Sequence, residues 1–142
     1  MRRGTALRLT DLEGGSDCIC FGTGMAAING LFLAFLSAGD HAIVSDVVYG
    51  GTYRLFTKVF ERFGIKFHYV DMNNVDTIKK YINPNTKVIW LETPTNPLMN
   101  ISDIAAIAAV AKAANALLCV DNTFASPYLQ NPLDQGADII MH

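Results

Sequence analysis

Charge is scarce in this chain. Of its 142 residues, 17% are Asp, Glu, Lys or Arg, and the 11 basic and 13 acidic side chains leave a formal net charge of −2. No basic run is present, so no electrostatic feature points to nucleic acid or an anionic membrane as a partner. Cysteine is sparse too: Cys18, Cys20 and Cys119 are all there is. A small odd count excludes a disulfide framework and fits a reducing compartment, hence a cytoplasmic protein. Long apolar runs are missing. None reaches the roughly 18 residues of a membrane-spanning helix. The opening MRRGTALRLTDLEGG carries arginines without the apolar block of a secretory signal. No histidine lies near Cys18 or Cys20, so that pair reads as small core residues on one face of a strand and not as a metal site.

What is there is apolar and alternating. Hydrophobic residues make up 51% of the chain, a globular composition large enough for one domain with its own core. Apolar runs at 17–21, 42–46, 65–70, 87–92, 116–121 and 137–141 read as strands. Between them lie helical stretches. Residues 24–36 are apolar almost all round, which predicts a buried helix. Residues 51–63 place Leu55, Val59 and Phe63 at helical spacing, with Gly64 as the stop. A short helix is expected over 75–82. Another is expected over 103–114, capped by Ser102, with Ile104, Ile107 and Ala111 as its apolar stripe. Continuous apolar strands alternating with helices predict an α/β fold with a mostly parallel sheet flanked by helices. In such sheets ligands gather at the carboxyl ends of the strands, here just after Phe21, Asp46, Glu92 and Asp121.

Four motifs occupy those places. GTGMAA (22–27) is a Gly-x-Gly-x-x-Ala pattern opening a helix, and Asp46 follows about twenty residues later. Glycines let a backbone approach a phosphate, and free N–H groups at a helix start attract it. Any phosphate satisfies that chemistry, so a dinucleotide-binding Rossmann-type domain stands as one alternative. SDVVYGGTYR puts Tyr49 in a glycine-rich loop, where a flat ring can stack on a flat cofactor. LETPTNP offers Glu92, Thr93 and Asn96 on a loop stiffened by Pro94 and Pro97. VDNTF ends a buried strand on Asp121. A carboxylate there is costly without a partner, and a pyridinium N–H is such a partner.

Together, GTGMAAI (22–28), GDHAIVSDVVYGGTYR (39–54), ETPTNP (92–97), VDNTFASPYLQNPLDQGAD (120–138) and the closing MH resemble the Cys/Met-metabolism family of pyridoxal-phosphate enzymes. That family includes cystathionine γ-lyase, cystathionine γ-synthase and methionine γ-lyase, and the resemblance runs from about Leu12 to His142. It implies part of the large cofactor-binding domain of the aspartate-aminotransferase type (fold type I), with pyridoxal 5'-phosphate as cofactor. It implies that the backbone of Gly24 and Met25 holds the phosphate, and that Tyr49 stacks on the ring and exchanges protons with the substrate. It places Asn96 near the cofactor's 3-oxygen and the substrate carboxylate, Arg54 on the substrate side and Thr123 close to the ring. It assigns Asp121 to the ring nitrogen, and Glu92 more weakly to the site.

The implied partners are a small amino-acid substrate (cystathionine, or a homoserine ester plus cysteine) and, in the full-length enzyme, further copies of the same chain in a homo-oligomer. Family members acting on methionine usually carry a cysteine where this chain has Gly51, so the lean is toward the cystathionine enzymes. The resemblance also implies a Ser-x-Thr-Lys stretch after the last strand, whose lysine forms the Schiff base. Residues 1–142 contain no such stretch, and Lys58, Lys66, Lys79, Lys80, Lys87 and Lys112 do not match its position. The expectation is a partial cofactor-binding domain over 1–142, lacking the family's N-terminal segment, lysine segment and C-terminal domain. Such a chain is inactive alone and prone to self-association. The further alternative is a non-catalytic remnant that only associates with a full-length relative.

Overall fold

Strand side chains alternate, and that alternation builds two cores in this chain. A computed structural model describes residues 2–142, with side chains from Gly4 onward. Five strands form one sheet: β1 (His41–Ser45), β2 (Lys66–Val70), β3 (Thr86–Glu92), β4 (Leu117–Asp121) and β5 (Ile139–Met141). Their order is β2-β1-β3-β4-β5, and every pairing is parallel. On one face, Ile43, Ile89, Leu91, Leu118 and Val120 pack against Ile78 of α4 (Val75–Tyr81) and against Ile104, Ile107 and Ala111 of α5 (Ile104–Ala113). On the other, Ala42, Val44, Val88, Trp90 and Cys119 meet Ile28 and Phe32 of α2 (Gly24–Phe35) and Phe56 of α3 (Gly50–Lys58). Both faces of each central strand are buried, which is why these strands read as continuous apolar runs.

The order of crossings places the site. The chain leaves β1 for β2 on one side, then returns over β1 to β3 and continues outward to β4 and β5. The direction of winding therefore reverses between β1 and β3. Loops leaving the carboxyl ends there diverge and open a crevice, the usual ligand position in such sheets.

Several expectations are corrected. Residues 17–21 do not form a strand; they run as irregular chain, with Ile19 exposed and Cys18 and Cys20 half-buried rather than in the core. The 51–63 helix divides into α3 and a 3₁₀ turn at Phe60–Phe63, closed by Gly64 at φ 81°. Its buried stripe is Thr52, Phe56 and Phe60, whereas Val59 and Phe63 are exposed. Two series at spacing four compete in that segment. The one with two inward phenylalanines wins, because Phe56 and Phe60 both join the ring cluster around Phe32. Asp103, not Ser102, caps α5 by accepting from Ala106 N–H at 2.9 Å. The α2 helix is not buried all round, since Leu33 and Phe35 are exposed. Finally, α1 (Arg2–Glu13) is a helix that the pattern did not reveal. It ends where Gly14 takes φ 68° and Gly15 N–H bonds Thr10 C=O at 2.9 Å. Among the described residues, no helix is long and apolar enough to cross a membrane.

Candidate functional site: a carboxylate-floored cavity at the strand ends

A cavity of about 390 Å³ opens at the carboxyl ends of β3, β4 and β5, beside the start of α2. Its floor is Asp121, the last residue of β4, which is 7% exposed. Thr123 donates to Asp121 Oδ1 twice, from its hydroxyl at 2.6 Å and its N–H at 3.1 Å. Burial pushes the Asp121 carboxyl above the ordinary carboxylate range, while the Thr123 hydrogen bonds and the charge of His142 pull it back. Among the described residues, no lysine or arginine lines the cavity.

Glu92 ends β3 and is 4% exposed. Its Oε2 accepts from Tyr49 N–H and its Oε1 from Asn96 N–H, both at 2.8 Å. One carboxylate thus clips the loop after β1 to the loop after β3, across the point where the winding reverses. Burial, with a smaller push from Asp121, raises Glu92 above its ordinary range against those two hydrogen bonds. Tyr49, held by that clip, presents a half-exposed ring to the cavity. Gly51 makes room for it: a Cβ at position 51 would lie 2.5 Å from Tyr49 Cε1 and 2.9 Å from Met25 Sδ.

The third wall is the start of α2. Thr23 caps it by accepting from Ala26 N–H at 3.1 Å. The N–H groups of Gly24 and Met25 lie in the first turn, where no preceding helical carbonyl is available. Gly24 and Met25 line the cavity, and a helix start of this kind suits a phosphate. Gly24 is not required by crowding, because a Cβ there would meet only ordinary contacts at 3.9 Å.

Of the residues singled out from the sequence, Gly24, Met25, Tyr49, Asn96, Asp121 and Thr123 all line this one cavity. Arg54 does not; it lies on the exposed side of α3. Sequence reasoning missed Phe124 and Ile28 as wall residues, and it missed the clip function of Glu92. Two acceptor oxygens serving N–H groups 43 and 4 residues away leave no local pattern to read.

The dinucleotide alternative loses its geometry here. Its fingerprint needs a strand running into the glycine loop and an acid at the end of the neighbouring strand. No strand precedes GTGMAA, whose helix start packs beside β5. Asp46 follows β1, with β3 and β4 lying between β1 and β5. Three strand spacings make about 14 Å.

The model of one protein family, described as Cys/Met metabolism PLP-dependent enzyme, matches residues 4–142. The chain belongs to that family. Over 134 residues it is 50% identical to the cystathionine gamma-lyase of Bacillus subtilis and, equally, to a cystathionine beta-lyase of Lactococcus lactis; each match covers 94% of this chain and 35% of the relative. It is 48% identical over 140 residues to a probable cystathionine gamma-synthase of Herpetosiphon aurantiacus, 44% of which is covered. The crystal structure of cystathionine gamma-lyase from Lactobacillus plantarum complexed with L-serine superposes with a TM-score of 0.96 at 50% identity, covering 98% of this chain and 36% of that one. The chain therefore spans about a third of the length of the first two curated relatives.

Membership in a family of pyridoxal-phosphate-dependent enzymes matches the residues at the cavity. Pyridoxal phosphate carries a phosphate, a flat ring and a ring nitrogen that can bear a proton. The cavity offers the first turn of a helix, an aromatic ring at its mouth and a buried carboxylate held by Thr123.

Proposed function

We propose that this chain is the cofactor-cradling part of a pyridoxal-phosphate enzyme that makes or breaks a carbon–sulfur bond in a cystathionine-type amino acid. The observation that carries this reading is Asp121, a buried carboxylate at a strand tip, aligned with Tyr49 and the start of α2 around one cavity. Bound pyridoxal phosphate supplies an electron-withdrawing ring that stabilises negative charge at the substrate α-carbon. Asp121, as a carboxylate, would accept a hydrogen bond from the protonated ring nitrogen and so favour its cationic form. Thr123 holds Asp121 Oδ1; the N–H groups of Gly24 and Met25 would hold the phosphate, and Tyr49 would stack on the ring. Asn96, fixed by Glu92, reaches the substrate side. Arg54 is assigned to the substrate only through the family resemblance, since it lies outside the cavity.

The relatives carry three reaction names at about equal identity. This part of the enzyme therefore serves chemistry common to them, and the choice of β- or γ-carbon belongs to other groups. The substrate class is an amino acid such as cystathionine, the working assembly a homo-oligomer, and the compartment the cytoplasm. We further propose that residues 1–142 form a partial large domain that holds cofactor without turning substrate over. Among the described residues, no lysine lines the cavity to supply covalent anchoring or a base for the α-proton.

The test is to add pyridoxal phosphate or NAD to the purified chain, follow the visible spectrum, then assay cystathionine cleavage and trap with borohydride. We expect saturable binding of pyridoxal phosphate, weaker or no binding of NAD, and no turnover. Preferential NAD binding would overturn the cofactor assignment. Robust turnover, with a trapped lysine inside residues 1–142, would overturn the assignment of a non-catalytic part.

A further inference from the structure

We propose that Glu13 is a positioning residue for the cofactor cavity, a role that rests on the function proposed above. Glu13 is the last residue of α1, lies outside every recognised motif and is 6% exposed. A carboxylate that far from water needs partners. Two of those it has, Asn122 and His142, come from the strand ends that build the cavity floor. Its Oε1 accepts from Asn122 Nδ2 at 3.0 Å and from His142 Nε2 at 2.5 Å, and its Oε2 lies 3.5 Å from Asn131 Nδ2. These contacts span 109, 129 and 118 residues of sequence.

Asn122 and His142 both lead to the cavity. Asn122 follows Asp121 directly, is fully buried, and donates its own N–H to Met141 C=O at 2.8 Å. His142 lines the cavity and lowers the Asp121 carboxyl against the effect of burial. From Asn122 the network runs on. Asn122 Nδ2 also donates to Gln130 C=O, while Gln130 Nε2 donates to Asn122 Oδ1 at 2.9 Å and to Thr93 C=O at 3.0 Å. Thr93 opens the loop that carries Pro94 and Asn96 into the cavity. One buried carboxylate on α1 therefore fastens the loops after β3, β4 and β5. Preorganised support of this kind fixes site residues that their own local packing does not. The contact between Glu13 Oε1 and His142 Nε2 also fixes how that ring is held at the cavity wall.

Two substitutions separate positioning from bulk stability. Glu13→Gln keeps an oxygen for Asn122 and His142 but loses the charge that strengthens both bonds. Glu13→Ala removes the acceptor altogether. Pyridoxal phosphate affinity is measured by fluorescence at a temperature where urea titration shows each variant fully folded. In parallel, NMR follows the His142 ring nitrogens, the Asn122 and Gln130 side-chain amides and the backbone amides of Thr93 and Asp121. We expect affinity to fall about tenfold in Glu13→Ala and about threefold in Glu13→Gln. The His142, Asn122, Thr93 and Asp121 signals move together in both. Glu13→Gln alone suffices if the alanine variant does not fold. Wild-type affinity in Glu13→Gln with unmoved signals overturns the proposal. If the parent chain binds no pyridoxal phosphate, the proposed function fails. The Thr93 and Asp121 signals in Glu13→Gln then decide the positioning role alone: coordinated movement supports it, and stillness overturns it.

Discussion

Replacing Glu92 with alanine should damage both the fold and the cavity. The wild-type carboxylate accepts two backbone N–H groups at 2.8 Å while 4% exposed. Each bond to a charged acceptor contributes about 1.5–3 kcal/mol, and an orphaned buried N–H keeps its full desolvation penalty. Two such bonds sum to about 3–6 kcal/mol. Alanine also removes a buried carboxylate whose own desolvation cost opposes folding by an amount of order a few kcal/mol. The net expectation is a loss of about 3 kcal/mol, or about 9 °C in melting temperature for a chain of this size. Glu92→Gln should fall between, because its amide offers one acceptor and turns a donor toward the other N–H. Urea denaturation gives the stability change, and amide NMR shows whether Tyr49 and Asn96 lose their anchor. A loss below about 1 kcal/mol in Glu92→Ala, with the Tyr49 and Asn96 amides unmoved, would refute the clip.

Two further outcomes follow from the same geometry. Gly51→Ala puts a methyl group 2.5 Å from Tyr49 Cε1 and 2.9 Å from Met25 Sδ, both on movable side chains. Alanine regains up to about 1 kcal/mol of helix propensity, so melting should change by only a few degrees while the Tyr49 ring is displaced and pyridoxal phosphate binding weakens. Unchanged Tyr49 ring resonances would count against this packing. Asp121→Asn should stabilise the cofactor-free chain increasingly as pH rises. Burial raises the Asp121 carboxyl, so the folded chain holds that proton above the ordinary value of about 4 where the unfolded chain releases it. Parent stability from this group is present below that value and declines as pH climbs through the raised one. A pH series of urea titrations on parent and Asp121→Asn should therefore diverge from about pH 4 upward. A constant difference would contradict the burial effect.

Much of this was legible in the residues, for physical reasons. Parallel strands buried on both faces leave continuous apolar runs, so β1 through β4 were readable to within a residue or so. The α5 stripe of Ile104, Ile107 and Ala111 was readable because only one periodic series competes there. Residues 51–63 carried two such series, and only the ring cluster around Phe32 decides between them. The run at 17–21 has strand-forming residues but no neighbour to pair with, and pairing is not a local property. Helix α1 was hidden because Leu7 and Leu12 are exposed, leaving no apolar stripe to detect. At the site, Tyr49, Asn96, Asp121 and Thr123 stood at or after strand ends, and Gly24 and Met25 in a glycine pattern opening a helix, so they could be named. Glu13 and Glu92 act through contacts to distant backbone and amide groups, which no spacing rule reveals.

The most direct measurement compares pyridoxal phosphate binding by the parent chain and by Asp121→Asn at neutral pH, read from the visible spectrum and from fluorescence. Asparagine still offers Oδ1 to both Thr123 hydrogen bonds, so the fold persists and a loss of binding cannot be assigned to unfolding. It cannot take up the charge that holds a proton on the ring nitrogen. The account predicts saturable binding by the parent and at least about tenfold weaker binding by the variant, the cost of one charge-assisted hydrogen bond in a buried site. Equal affinity and identical spectra in the two chains would contradict it.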